Sequence, residues 1–141
     1  MAKTALVTGA SSGIGREIAR DLSARGFRVI LSARREERLR ELAEELGDNT
    51  RVVVCDVSDR EECLRLYEET KSEKISVLVN CAGFGAVGSF DKLPLDTELK
   101  MIDTNVTAVH MLTKLFLKDF VAADRGYICL LYTSPSPRDR G

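Results

Sequence analysis

Short apolar runs alternate along the chain with stretches whose apolar residues recur every three or four positions. Ala5-Leu6-Val7 is the first run, and a glycine-rich turn leads from it into a stretch with Ile14, Ile18, Ala19 and Leu22 on one helical face. Gly26 closes that helix, and Phe27 to Leu31 predicts a second strand. Leu39, Leu42, Ala43 and Leu46 return to helical spacing, which Gly47-Asp48-Asn49 ends. Val52-Val53-Val54-Cys55 makes a third strand, followed by a charged helix from near Ser58-Asp59 that carries Cys63, Leu66 and Tyr67. Ile75 to Val79 is the fourth run. The longest helix is predicted from about Asp96 to Phe120, with Leu99, Ile102, Val106, Val109, Thr113, Phe116 and Phe120 as its buried stripe, before Tyr127-Ile128 opens a fifth strand.

Strands that alternate with helices call for right-handed crossovers, a parallel sheet and helices on both faces. The predicted fold is therefore an α/β doubly wound parallel sheet. No linker or internal repeat divides the chain, so residues 1–128 are expected to form one domain that stops within the fifth strand. Residues 129–141 read differently. Pro135 and Pro137 stop any strand or helix, and the run from Cys129 to Asp139 looks like a translated sequencing-library adapter, a non-native tail to be left out of fold reasoning.

Composition narrows the picture by exclusion. The 141 residues are 44% hydrophobic and 30% charged with a formal net charge of −1, which argues against a nucleic-acid surface or a polybasic membrane patch. No apolar run approaches membrane-spanning length, and the N-terminus enters strand-like sequence at once, without a signal peptide's pattern. The four cysteines, Cys55, Cys63, Cys81 and Cys129, form no C-x-x-C pair and no zinc spacing. Buried free thiols, no metal site and a cytoplasmic location are the expectation.

Candidate chemistry starts at Thr8-Gly9-Ala10-Ser11-Ser12-Gly13-Ile14-Gly15, between the first strand and the first helix. Gly9 permits the tight exit from the strand, Gly13 leaves room for a pyrophosphate, and Gly15 lets helix and sheet pack closely. The helix start offers free N–H groups and the positive end of its dipole to phosphates, and Ser11 and Ser12 add hydroxyl donors. In spacing and placement this segment resembles the T-G-x-x-x-G-I-G motif of the short-chain dehydrogenase/reductase family, which implies a Rossmann fold and a nicotinamide dinucleotide cofactor. A domain that binds NAD places a carboxylate at the end of the second strand, for the ribose 2′-hydroxyl. Ala33 stands there, followed by Arg34 and Arg35, which suit a 2′-phosphate. NADP is therefore expected over NAD, with a solvated helix face as the alternative role for the two arginines.

The resemblance continues along the chain. Asp56 and Val57 fall where the family contacts adenine, although Asp56 also lies close enough to a helix start to suggest capping. Asn80-Cys81-Ala82-Gly83 is similar to the family's N-N-A-G motif with one Asn replaced by Cys81; Asn80 is implied to brace the central strands, and Ala82 and Gly83 to admit the cofactor. Asn105, a poor helix-interior residue, matches the family Asn that interrupts helical bonding and holds a water for proton relay. His110 pairs with nothing in the pattern and reads as a surface or interface residue, not a base. The family's Y-x-x-x-K has one spacing match, Tyr67 with Lys71, which comes too early in the fold to be the catalytic pair. The implied parent is a homo-oligomeric oxidoreductase acting on a small-molecule carbonyl or alcohol, and the chain itself is expected to be inactive and marginally stable. A non-catalytic dinucleotide sensor or scaffold is the alternative.

Overall fold

Strands covered on both faces need apolar side chains in both directions, and the five short runs supply them. The computed structural model describes residues 3–11, 13–81 and 93–130. Within them, β1 (Thr4–Thr8), β2 (Arg28–Ala33), β3 (Thr50–Val54), β4 (Ile75–Asn80) and β5 (Tyr127–Leu130) form one sheet in the order β3-β2-β1-β4-β5. Every pairing is parallel, with Thr8 opposite Ser32, Ala33 opposite Val54, and Val7 opposite Val79. This is the expected doubly wound sheet. The fifth strand runs two residues past its expected stop: Cys129 pairs with Val79 and Leu130 with Asn80. Residues 131–141, the rest of the segment expected to be a tail, lie outside the described residues.

Alternation along the strands divides the apolar side chains between two cores. On one face α1 (Gly13–Ala24) and α2 (Glu36–Leu46) bury Ala19, Leu39 and Leu42 against Val7, Val29, Leu31 and Val79. On the other, α3 (Arg60–Thr70) and α5 (Ala108–Ala123) bury Cys63, Leu66, Leu112, Phe116 and Phe120 against Leu6, Ile30, Val53 and Leu78. β5 is less covered, with Tyr127 72% and Leu130 48% exposed.

The long helix departs from expectation in an informative way. It comprises α4 (Leu95–Ile102), a π-helical turn at Asp103–Thr107, and α5. The Ala108 N–H reaches back to the Asp103 carbonyl, five residues away, in place of the usual four. One extra residue rotates the two helical faces by about 100° relative to each other. The predicted stripe therefore breaks. Phe116 and Phe120 are buried as expected, joined by Ala108 and Leu112, whereas Leu99, Ile102 and Val106 are 47%, 53% and 60% exposed.

Tyr67 settles the meaning of the Y-x-x-x-K spacing. Its hydroxyl donates to Asp119 Oδ2 at 2.8 Å, and its ring meets Phe116 edge-on with centroids 5.0 Å apart. Lys71 lies over the ring at 5.7 Å while its Nζ pairs with Glu68 at 2.7 Å. Burial, then the bond to Asp119, pushes the phenol up to about 12. A phenol so placed packs α3 on α5. Tyr67→Phe should cost about 1 kcal/mol in a denaturant melt, the worth of one hydrogen bond.

Candidate functional site

Because all strands are parallel, their C-terminal ends share one edge of the sheet. Strand order reverses between β1 and β4, and the helices α1 and α5 pack on opposite faces of the sheet there, which opens a crevice. The glycine turn enters this crevice from β1. Gly9 (φ +63°) and Gly13 (φ +59°) adopt left-handed backbone, as a tight exit and an immediate helix start require. Ala10, fully buried between them, donates its N–H to the Ser32 carbonyl at 3.1 Å and so ties the turn to β2. A Cβ on Gly15 would lie 2.2 Å from the Gly9 carbonyl oxygen and 3.2 Å from Cys81 Cβ. Helix and turn can pack this closely only with glycine there. At Gly13, by contrast, a Cβ would meet no described atom within 4 Å. The first turn of α1 carries no acidic residue to oppose its dipole.

One expectation needs correction at this turn: Ile14, placed by periodicity on the buried face of α1, is 47% exposed. Thr8 joins the central strands. The Thr8 hydroxyl donates to the Val79 carbonyl at 3.4 Å and accepts the Cys81 N–H at 3.1 Å, joining β1 to the end of β4. Asn80, buried at 3% exposure, sends its Nδ2 at 3.5 Å to Thr113 Oγ1 on α5. Thr8 stood inside the sequence motif, but a threonine at a strand end does not announce which neighbour it will hold.

The other predicted residues follow the same strand ends. Arg34 and Arg35 leave β2 exposed, with Arg35 at the N-cap of α2 and no side-chain capping bond. Ser11 is half-buried beside the turn. After β3, Cys55 bonds back to the Ala33 carbonyl at 3.0 Å, and Asp56 follows. The capping alternative for Asp56 does not hold: Asp59 caps α3, accepting the Glu61 N–H at 2.9 Å. Asp56 Oδ1 instead accepts the Ser58 N–H at 3.0 Å and its hydroxyl at 2.7 Å. Val57 is 7% exposed and belongs to the core beneath the loop. Asn105 is half-buried at the centre of the π turn, next to the buried Thr104. Gly13, Arg34 and Asp56 thus share one edge, whereas Ser12, Ala82 and Gly83 lie outside the described residues.

Burial governs the thiols, and at Cys55 it outweighs the opposing pull of Arg65. Burial pushes Cys55 from an ordinary 9.0 up to about 12, and Cys63 and Cys81 up to about 11. Folding therefore favours the protonated thiol. The stability this contributes is complete below about pH 9 and is lost as pH rises towards the folded-state values. At pH 8 a thiol reagent should label Cys55 and Cys63 no faster than the chain opens, a rate that rises with added urea. Among the described residues no cluster of His, Cys, Asp and Glu is arranged to hold a metal, and no helix is long and apolar enough to cross a membrane. A separate cavity of about 360 Å³, with Lys74, Ile75, Phe120 and Arg125 in its lining, opens at the start of β4 on the opposite edge of the sheet.

Known proteins share both sequence and architecture with this chain. A family model described as short chain dehydrogenase matches residues 3–133. The 3-oxoacyl-(acyl-carrier-protein) reductase of Rickettsia prowazekii is 36% identical over 126 residues, which cover 89% of this chain and 52% of that protein. The chain spans about half the length of the curated relatives it matches. A metagenomic short-chain oxidoreductase solved in complex with NADP superposes with a TM-score of 0.89 at 32% identity, covering 96% of this chain and 64% of that one. A short-chain dehydrogenase from Sphingobium yanoikuyae, solved with NADPH, gives 0.86 at 29% identity, covering 91% and 52%.

Proposed function

The chain belongs to the short-chain dehydrogenase family, and from that premise we propose that it is the NADP(H)-binding part of an oxidoreductase acting on a small carbonyl or alcohol. The observation that carries this reading is the glycine turn at the point of strand reversal, with arginine and no acid directly after β2. The close fit of Gly15 over Gly9 and the open space at Gly13 suit a phosphate seated against the start of α1.

The pyrophosphate is held by backbone N–H groups at that helix start, with Ser11 and Ser12 adding hydroxyl donors and Ile14 flanking them. Arg34 pairs with the 2′-phosphate, and Arg35 adds positive charge beside it. Asp56 accepts the amino group of adenine while Val57 backs the ring. Asn80 braces the central strands at this edge, and Ala82 and Gly83 let the cofactor approach the backbone. When bound, the dinucleotide supplies or accepts a hydride at its nicotinamide. Asn105 supports the accompanying proton movement by holding a water where the π turn spreads the helical bonding. Oxidoreductases solved with NADP or NADPH among the similar structures support the choice of cofactor, and four free thiols support a reducing, cytoplasmic setting.

Arg34→Ala tests the cofactor assignment. Loss of a charge-assisted contact should weaken NADP(H) binding by about tenfold or more while NAD(H) affinity holds, both read by fluorescence titration. Equal NADP(H) affinity in the two proteins ends the assignment.

A further inference from the structure

Asp56 does not stand alone on its loop: the strand end that leads into it is held from α3. Arg65 spans three partners: Nη2 donates to the Val54 carbonyl at 2.7 Å, Nε and Nη2 grip Glu62 at 2.7 and 3.0 Å, and Nη1 reaches Glu69 at 3.0 Å. The Glu62 backbone carbonyl accepts the Cys55 thiol at 3.3 Å. Val54 and Cys55 lead directly into Asp56, so these contacts tie α3 to the backbone just before it. The Cys55 N–H is held separately, by Ala33. One residue further on, Cys63 Sγ lies 3.2 Å from the Val57 carbonyl. Ser58 then locks the Asp56 carboxylate through Oδ1, and Oδ2 receives no hydrogen bond among the described residues.

We propose that Arg65 and Glu62 are positioning residues that hold Asp56 in place and thereby set selectivity for adenine over purines that lack a 6-amino group. The inference rests on Asp56 as the acceptor of that amino group. Its physical basis is a division of labour between stability and placement. Arg65 and Glu62 side chains are 39% and 33% exposed, and ion pairs so open to water add little to folding. The Arg65 bond to the Val54 carbonyl is made to backbone two residues before Asp56, at the mouth of the crevice, where a small displacement of the loop changes a hydrogen bond to a ligand. Breaking the pair should therefore alter recognition far more than the melting temperature.

The test compares NADP with its hypoxanthine analogue, in which an oxygen replaces the 6-amino group, in the 141-residue chain and its variants. The wild type should bind NADP about tenfold tighter than the analogue, the usual worth of one charge-assisted hydrogen bond. Glu62→Gln, which keeps side-chain shape, and Arg65→Met should each reduce that ratio to within about threefold, with thermal midpoints close to wild type. Arg65→Lys should not restore it, because an ammonium lacks the fork that reaches Val54 and Glu62 together. Variants that keep the wild-type ratio, or that lose both nucleotides equally, overturn the positioning role. If Arg65→Met does not fold, the isosteric Glu62→Gln decides alone. A wild type without preference, or an Asp56→Ala variant that retains it, overturns instead the assignment of Asp56 to adenine, and the inference falls with it.

Discussion

Gly15→Ala should abolish measurable dinucleotide binding and lower the melting midpoint of the chain. The added methyl would sit 2.2 Å from the Gly9 carbonyl oxygen and 2.9 Å from its carbon, both backbone atoms, with Cys81 Cβ at 3.2 Å behind them. No flexible side-chain end can swing aside. Overpacking of this kind costs about 1–3 kcal/mol and occasionally more, and relief requires the strand-to-helix turn itself to move. Gly9 and Ala10 form that turn, and the Ala10 bond to Ser32 holds it on β2. Stability and binding should therefore fall together. Gly13→Ala is the informative comparison for stability: space is open, so the cost to folding is only the left-handed backbone, about 1–2 kcal/mol, while its methyl falls in the space given to the phosphate. Thermal melts and nucleotide titrations on both variants check the order. Gly15→Ala with wild-type affinity would contradict the close packing at this turn.

Phe116→Ala should be the most damaging substitution for stability alone, at about 3–5 kcal/mol in urea unfolding. Phe116 is 1% exposed and lies between Tyr67 and Phe120, with ring centroids at 5.0 and 6.3 Å. Its removal empties the contact between α3 and α5 and strips Tyr67 of its edge-on partner. The site stands at the other end of these helices, so the folded fraction should bind nucleotide with unchanged affinity. A loss of binding beyond the loss of folded protein would show that the lower core and the crevice are coupled.

The sheet was readable because five β-rich runs and the helical spacing between them leave one sensible arrangement, and the glycine turn was readable because each glycine has a separate steric duty. The long helix was harder. Its start and end follow from periodicity, yet one extra residue at Asp103–Thr107 shifts the phase, and no stripe drawn through Leu99, Ile102 and Val106 survives that shift. Asn105 was the visible sign of it, since asparagine inside a helix asks for a local reason. The loop after β3 was legible only in part. Asp56 could be singled out as a strand-end carboxylate, but that the cap is Asp59 depends on where helical backbone begins. That Arg65 reaches Val54 depends on how α3 lies on the sheet. Charged residues spaced along a helix look alike in sequence, whether they meet water or a strand end.

A calorimetric titration of the chain with NADP(H) and NAD(H) bears most directly on the crevice. Saturable binding at one site, tighter for NADP(H) and weakened by added salt as a phosphate–arginine contact requires, is the predicted outcome. Failure of either nucleotide to bind a chain that circular dichroism shows to be folded, or tighter binding of NAD(H), would contradict it.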